Sequence, residues 1–194
     1  MSVDQAAVLN AIRHRRSVFP AQYTGEPVER ETIEQLLELA NWAPTHKKTQ
    51  PWRFKVIIGD ALKRLSDYMV EYYDENTPLE VVSEIKRNKM RKNPLKAGAI
   101  IAVIMARDEQ QRVSEWEELA AVSCAVQNMW IAASALGLGS FWSTPPAALN
   151  ANDFLDLDNN ERSLGFFYLG KISDTGIPDS ERDPVAEKTE WIEA

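Results

Sequence analysis

Apolar residues recur with a helical period in residues 28 to 42. The repeat runs at intervals of three and four residues and places one apolar stripe along a helix. The residues of this stripe are Ile33, Leu36, Leu37 and Ala40. Glutamates crowd the first half of the segment, where the helix dipole favours negative charge. The pattern therefore predicts an amphipathic helix over residues 28 to 42.

Four other segments carry the pattern of strands. "AIIAVIMA" is apolar without interruption, which is typical of a strand buried on both faces. "RFKVIIG" alternates apolar and polar residues and is rich in β-branched side chains. "GLGSFWST" and "SLGFFYLGK" complete the set, the first as a short strand and the second as the last strand.

The remaining helical patterns are less regular. We predict helices over residues 4 to 14, 60 to 73, 79 to 92 and 114 to 136, with "NPLKAG" breaking the third of them. The last of the four is apolar nearly all round after Leu119, so it should be buried within the domain or against a partner chain. Gly137 follows it and fits a helix C-cap.

The order of elements indicates an α+β fold with about four core strands. No internal repeat or Gly/Ser linker divides the chain, so we expect residues 1-194 to form a single domain. The early Gly-rich turn of a dinucleotide-binding βαβ unit is missing.

The composition limits the kinds of molecule that the protein is expected to bind. The formal net charge is −7 and the isoelectric point is about 5.0, which argues against general binding to nucleic acid. The single cysteine, Cys124, has an apolar sequence context and is predicted to be buried. No apolar run is long enough for a membrane helix, and no signal peptide is evident, so we expect a cytoplasmic location. Two histidines and one cysteine offer no metal motif.

A dense basic cluster, "RHRRS", interrupts this acidic chain at residues 13 to 17. Arginine guanidinium groups match phosphate oxygens in bidentate geometry, and a serine hydroxyl adds a further donor. At a helix end that leads into a loop, Arg15, Arg16 and Ser17 could hold one phosphate. The alternative is a solvated helix end, which is the commoner fate of a charge run.

Three later segments are also candidates for ligand binding. In "APTHKKTQPW", two prolines bracket a polar loop, from which His46 and Gln50 could reach a ligand. In "GLGSFWSTPP", Trp142 stands beside hydroxyl groups, an arrangement that suits a flat heteroaromatic ligand; the alternative is a core tryptophan followed by turn residues. Lys171 and Arg182 are late positive charges that could return to the same phosphate; the alternative is that both are surface residues.

Taken in order, these segments resemble the nitroreductase family of FMN-dependent oxidoreductases. "RRS" after the first helix, "AP" with a polar stretch ending in "QPW", "LGLGS-W" after the long helix, and "GFFYLGK" all match the order and spacing of the family. The likeness covers nearly the whole chain and is closest to the small single-domain bacterial members. It implies a mostly antiparallel central sheet flanked by helices, in an intertwined homodimer with FMN at the subunit interface.

The resemblance also implies roles for individual residues. Arg15, Arg16 and Ser17 match phosphate and flavin contacts, and Trp142, Ser143 and Thr144 match the segment beside the isoalloxazine ring. His46 and Gln50 match the loop that reaches the flavin, with His46 serving the cofactor of the neighbouring subunit. Lys171 and Arg182 match the late basic positions. The implied reaction passes a hydride from NADH or NADPH to the flavin and electrons on to a small electron-poor acceptor, with no catalytic side chain named.

One departure from the family pattern leaves alternatives open. Many members carry Lys or Arg two residues after the motif serine, near the flavin pyrimidine edge, whereas this chain has Phe19. An FMN-storing or sensing protein without turnover is therefore an alternative, as are dehalogenation, desaturation or cannibalisation of the flavin itself. A dimeric interaction domain with no cofactor is a third reading. Residues 71 to 96 are expected to cover the pocket, and the sequence names neither the acceptor nor the preferred nicotinamide cofactor.

Overall fold

A computed structural model describes residues 4–173 and 180–193 as helices packed on both faces of one antiparallel sheet. The strands are β1 (Trp52–Ile57), β2 (Ala99–Ala106), β3 (Leu138–Ser143) and β4 (Glu161–Lys171). The helices are α1 (Gln5–His14), α2 (Arg30–Asn41), α3 (Asp60–Asn76), α4 (Glu84–Lys96), α5 (Glu115–Ala135), α6 (Pro146–Leu149) and α7 (Asn152–Leu155). Short 3₁₀ turns lie at Pro20–Gln22, His46–Lys48, Leu79–Val81 and Val185–Lys188. The predicted α+β class is confirmed.

The strands pair in the order β1-β2-β4-β3, and every pairing is antiparallel. All eight residues of β2 are buried, as its uninterrupted apolar sequence predicts. Strand β4 shows why both faces must be covered, because Phe166 and Phe167 are both buried yet point to opposite faces. The sheet is therefore the middle layer of the protein.

Each face of the sheet has its own apolar core. Phe167 packs with Leu36 of α2 and with Val126 and Met129 of α5. On the opposite face, Phe166 and Tyr168 belong to a core that includes residues of α3, α6 and α7. Helix α5 thus lies on one face, and the excursion formed by α3 and α4 belongs to the other.

Helix α4 differs from its prediction. It begins at Glu84 rather than at residue 79, and it continues to Lys96 through the expected break. Pro94 lies in its last turn, where the fixed φ of proline is helical and its ring is buried. Residues Leu79–Val81 form a separate 3₁₀ turn instead of the first turn of the helix.

The long helix α5 is only half covered in the single chain. Ala121, Val122 and Ala125 are buried, but Cys124 is exposed, so the prediction of a buried cysteine is wrong for one chain. Trp116 on the same helix is 69% exposed, and Trp42 at the end of α2 is 75% exposed. An apolar surface along α2 and α5 therefore faces away from the domain core. Gly137 ends α5 with a φ of 73°, as expected of a C-cap.

Candidate functional site

The segment that carries the arginine cluster is fixed to the sheet edge. Helix α1 ends at His14, and the backbone N–H of Val18 then donates to the Ser140 carbonyl of β3 at 2.9 Å. The buried Tyr23 donates its hydroxyl to the Val18 carbonyl at 2.7 Å. A Cβ on Gly170 would come within 2.4 Å of the Tyr23 ring, so glycine is required for this close packing. Arg15 and Arg16 consequently extend from a rigid backbone.

The arginines surround a cavity of about 230 Å³. Its lining residues come from the start and the end of the chain: Arg15, Arg16, Ser17, Phe19, Gln22, Ser180 and Arg182. Four of the ten predicted site residues are therefore brought together here. The structure unites Arg182 with a segment more than a hundred positions earlier, which is the return of a late positive charge that the sequence analysis anticipated.

The charges in this cavity repel each other. Burial, then the nearby Arg182, then Arg16 lower the pKa of the Arg15 guanidinium below its ordinary value. Neither Arg15 nor Arg182 forms an ion pair with a carboxylate of the described residues. Arg182 instead donates to the Ser180 hydroxyl and to the Glu181 carbonyl. An anion in the cavity would relieve this repulsion.

Arg15 is also held in place by an aromatic ring. Its guanidinium carbon lies 4.5 Å from the centroid of the Trp130 ring on α5. Trp130 in turn donates its indole N–H to the Arg16 carbonyl at 3.3 Å. The Nη1 atom of Arg15 is buried and has no hydrogen-bond partner in the described structure. Such a donor is costly unless a ligand satisfies it.

The polar loop before β1 lies near the other end of α5. His46 Nδ1 is 2.6 Å from Glu117 Oε2, and this contact lowers the pKa of the Glu117 carboxyl. The Gln50 backbone donates to the Thr45 hydroxyl at 3.0 Å, and Gln50 itself has a φ of 43°. Thirteen residues of α5 separate Glu117 from Trp130, which corresponds to about 20 Å along the helix. The structure therefore does not bring His46 and Gln50 to the arginine cavity of their own chain.

The end of β3 is packed closely against β4. Trp142 donates its indole N–H to the Leu164 carbonyl at 3.0 Å, and its ring packs on the core that contains α2 and α5. Gly165 has a φ of 109°, and a Cβ there would lie 2.4 Å from the Ser143 carbonyl oxygen. Ser143 and the more exposed Thr144 thus leave the sheet in a fixed direction.

Lys171 takes a different position from the other predicted cations. Its ammonium contacts Glu29 Oε1 at 2.6 Å, and this hydrogen bond raises the pKa of Lys171. It does not line the arginine cavity. Lys171 and Glu29 form an ion pair at the surface that joins the end of β4 to the start of α2.

The groups that sequence reasoning missed at this site include Trp130 and Gln22. Trp130 stacks on Arg15, but in the sequence it is one more apolar residue of an apolar helix. Gln22 lines the cavity from a turn that carries no motif. Neither contact had a signal in the sequence, since both depend on where α5 and the turn are packed.

Comparison with known proteins agrees with the fold and the motifs. The model of the nitroreductase family matches residues 12–171. YdjA of Escherichia coli K12, provisionally named an NAD(P)H nitroreductase, is 31% identical over 166 residues, covering 84% of this chain and 86% of that protein.

Solved structures lead to the same family. A nitroreductase-like family protein from Bacillus cereus is 30% identical with a TM-score of 0.80, and each chain covers 100% of the other. A provisionally named nitroreductase from Desulfovibrio desulfuricans, solved in complex with FMN, is 29% identical with a TM-score of 0.73, covering 97% of this chain and 96% of the other. Within residues 4–173 and 180–193, no helix is both long and apolar enough to cross a membrane. The chain belongs to the nitroreductase family.

Proposed function

We propose that this protein is an FMN-dependent NAD(P)H oxidoreductase whose electron acceptor is an electron-poor small molecule such as a nitroaromatic or a quinone. The observation that carries the proposal is the arginine cavity with its unsatisfied Arg15 donor. Membership of the family and a relative solved with FMN support it.

The residues of the cavity fit the phosphate of FMN. Arg15 and Arg182 offer guanidinium donors that no carboxylate neutralises in the described structure, and Ser17 adds a hydroxyl. A dianion would satisfy the buried Nη1 atom and remove the repulsion between the arginines. We assign Arg15, Arg16, Ser17 and Arg182 to phosphate binding.

The flavin, when bound, supplies the chemistry: it takes a hydride from NAD(P)H and returns two electrons to the acceptor. The protein's own role is to bind the flavin and to orient it. We assign Trp142, Ser143 and Thr144 to the ring because their backbone is fixed against Gly165 and leads away from the same strand that anchors Val18. Lys171 has the weaker assignment, since its ammonium is already paired with Glu29.

The position of His46 and Gln50 favours a homodimer with FMN at the interface. They lie about 20 Å along α5 from the arginine cavity of the same chain. If two copies pack their α5 helices antiparallel, the N-terminal end of one helix meets the C-terminal end of the other. His46 and Gln50 of one copy would then reach the cofactor of its partner. The exposed apolar surface along α2 and α5 is a suitable contact area.

The phosphate assignment is tested by comparing FMN with riboflavin, which lacks the phosphate. We expect the protein to bind FMN at least about a hundredfold more tightly, because two or more charge-assisted hydrogen bonds are involved. Arg15→Gln should remove most of this difference. Arg13→Gln, a change of a neighbouring arginine that does not line the cavity, should leave it intact. Equal binding of both flavins to the unmodified protein would refute the assignment.

A flavin-storing or sensing protein is the second candidate, favoured by Phe19. This side chain lines the cavity at a position where many family members have a cation, and it contacts Phe141 with ring centroids 4.6 Å apart. Without a cation there, reduction of the flavin is less favoured. The flavin-loaded protein should nevertheless lose its visible absorption when NADH or NADPH is added without oxygen. Absorption that persists with both nucleotides would support the second candidate instead.

A further inference from the structure

A larger cavity, of about 480 Å³, lies between α3, α4 and the segment after β3. Its volume is in the range of sites for small organic ligands. Tyr72 and Tyr73 of α3 line it on one side and Met90 of α4 on another, while Pro145 and Pro146 close it from the sheet side. The lining is mainly aromatic and apolar.

The walls of this cavity are held by hydrogen bonds. The Tyr73 hydroxyl accepts the Ser83 backbone N–H at 2.9 Å, which joins α3 to the start of α4. Tyr68 donates its hydroxyl to the Ala147 carbonyl at 2.9 Å and stacks on Phe154 with centroids 4.7 Å apart. The cavity therefore exists before any ligand arrives.

Lys86 is the one charged side chain that lines the cavity in the described structure. Its neighbour Arg87 makes two hydrogen bonds to Asp74, at 2.7 and 2.6 Å. The Lys86 ammonium has no such partner: it forms neither an ion pair nor a hydrogen bond with any described residue. A single cation beside aromatic walls suits a flat ligand with one negative group.

The cavity adjoins the segment assigned to the flavin ring. Pro145 directly follows Thr144, so the floor of the cavity continues the strand end that Gly165 fixes. We propose that this cavity binds the electron acceptor and selects a planar aromatic compound that carries a carboxylate, which Lys86 contacts. The proposal rests on the proposed function for its redox role, although the binding itself does not.

The chemistry expected of such an acceptor is balanced. A nitro group takes two electrons and two protons and becomes a nitroso group and water. The two electrons and one proton come from the NAD(P)H hydride by way of the flavin, and the second proton comes from solvent. The carboxylate stays unchanged and serves only to place the ring.

Binding is tested with benzoate, which has the ring and the charge but accepts no electrons. Calorimetry on the FMN-loaded protein should show benzoate binding about tenfold or more tighter than neutral benzamide, as one charge-assisted contact predicts. Lys86→Gln should abolish this preference. Lys89→Gln, which changes the next lysine of α4 and does not line the cavity, should keep it. No preference in the unmodified protein, or a preference that survives Lys86→Gln, overturns the proposal.

The redox role is tested on enzyme reduced with dithionite before mixing. Reoxidation by 4-nitrobenzoate should be about tenfold or more faster than by 4-nitrobenzamide at low, equal concentration, and Lys86→Gln should equalise the two rates. Flavin that NAD(P)H fails to bleach would refute the proposed function, yet the benzoate result would still decide the binding. Normal bleaching with equal reoxidation rates would refute the acceptor proposal alone.

Discussion

The surroundings of Arg15 in the folded protein disfavour its positive charge. Its charge is partly buried, lies near two other guanidinium groups, and has one donor without a partner. A pKa below the ordinary value means that the fold disfavours the charged form. The cation–π contact with Trp130 offsets part of this cost and fixes the guanidinium. The residue is therefore better explained by the binding of an anion than by stability.

Asp108 is an acidic residue with the opposite behaviour. It accepts two hydrogen bonds from the Arg112 side chain, at 2.8 Å each, and one from the Arg112 backbone at 3.0 Å. These contacts lower the pKa of its carboxyl to about 2. A depressed pKa stabilises the fold at pH values above the unfolded pKa of about 3.9, and this contribution is lost as the pH falls toward 2.

We expect Asp108→Asn to lower the melting temperature near neutral pH. The difference from the unmodified protein should shrink as the pH falls from about 4 to about 2, because the carboxyl is then protonated in both folded and unfolded chains. Thermal unfolding followed by circular dichroism across this pH range measures it. Asp67→Asn is the control, since its exposed pair with Lys63 on α3 should contribute little. A difference that stays constant with pH would contradict the assigned cause.

Among the candidate site residues, the sequence identified those whose chemistry is unusual for their surroundings. The arginine cluster stands out against a net charge of −7, and the structure joins it to Arg182. Lys171 was grouped with them as a late cation that also matches a basic position of the family, and in the structure its ammonium pairs with Glu29. Trp130 could not be found, since an apolar residue in an apolar helix has no distinguishing pattern.

Strand β4 requires glycine at position 165, where it packs against Ser143 in the segment that we assign to the flavin ring. Gly165 combines a positive φ with a Cβ direction that meets the Ser143 carbonyl oxygen at 2.4 Å. Gly25 has a positive φ of 84° as well, but no atom lies within 4 Å of the place its Cβ would take. An alanine at position 25 would therefore meet backbone strain alone, whereas an alanine at position 165 would meet both strain and a steric collision.

Gly25→Ala should lower the free energy of unfolding by about 1–2 kcal/mol, the usual cost of a positive φ in a residue with a Cβ. Gly165→Ala should lose about 3 kcal/mol or more, because strain and collision add. Urea unfolding of both variants gives the comparison. Similar losses would mean that β4 and the end of β3 are not as close as the structure shows.

Helices α4 and α5 illustrate the limits of pattern reading for elements. The sequence correctly located both, but it ended α4 at "NPLKAG" because proline usually stops a helix. Pro94 has no N–H for the carbonyl four residues earlier, so α4 continues to Lys96 with one hydrogen bond fewer while the proline ring is buried. For α5, the all-round apolar sequence predicts that more than one face is covered, but it does not identify the covering surface.

The exposed apolar surface along α2 and α5 fits the proposed dimer better than it fits a single chain. Trp42 and Trp116 are mostly exposed, and Cys124 lies on the same helix as Trp116. Burying such a surface between two copies would account for an α5 that is apolar nearly all round. It would also bring His46 of one copy toward the arginine cavity of the other.

We expect the protein to be a dimer, with twice the chain mass of 22.0 kDa. Cys124→Glu places a charge on the proposed interface at a position that is exposed in one chain, so it should leave the fold intact. It should give a monomer and release the flavin together. Light scattering after gel filtration, with flavin absorbance, measures both. Ile58→Glu, at an exposed apolar residue after β1, is the control and should remain dimeric. A flavin-loaded monomer would contradict the shared site.

The sequence by itself determined the α+β class, the approximate position of each strand of the described sheet, and the basic cluster that we propose to hold a phosphate. These depend on local periodicity and on residue chemistry, which a linear pattern carries. Tertiary structure alone decided that Arg182 meets Arg15, that Lys171 does not, and that Lys86 faces an aromatic cavity. Such contacts join segments far apart in the chain, and their geometry is fixed by packing rather than by the identity of neighbouring residues.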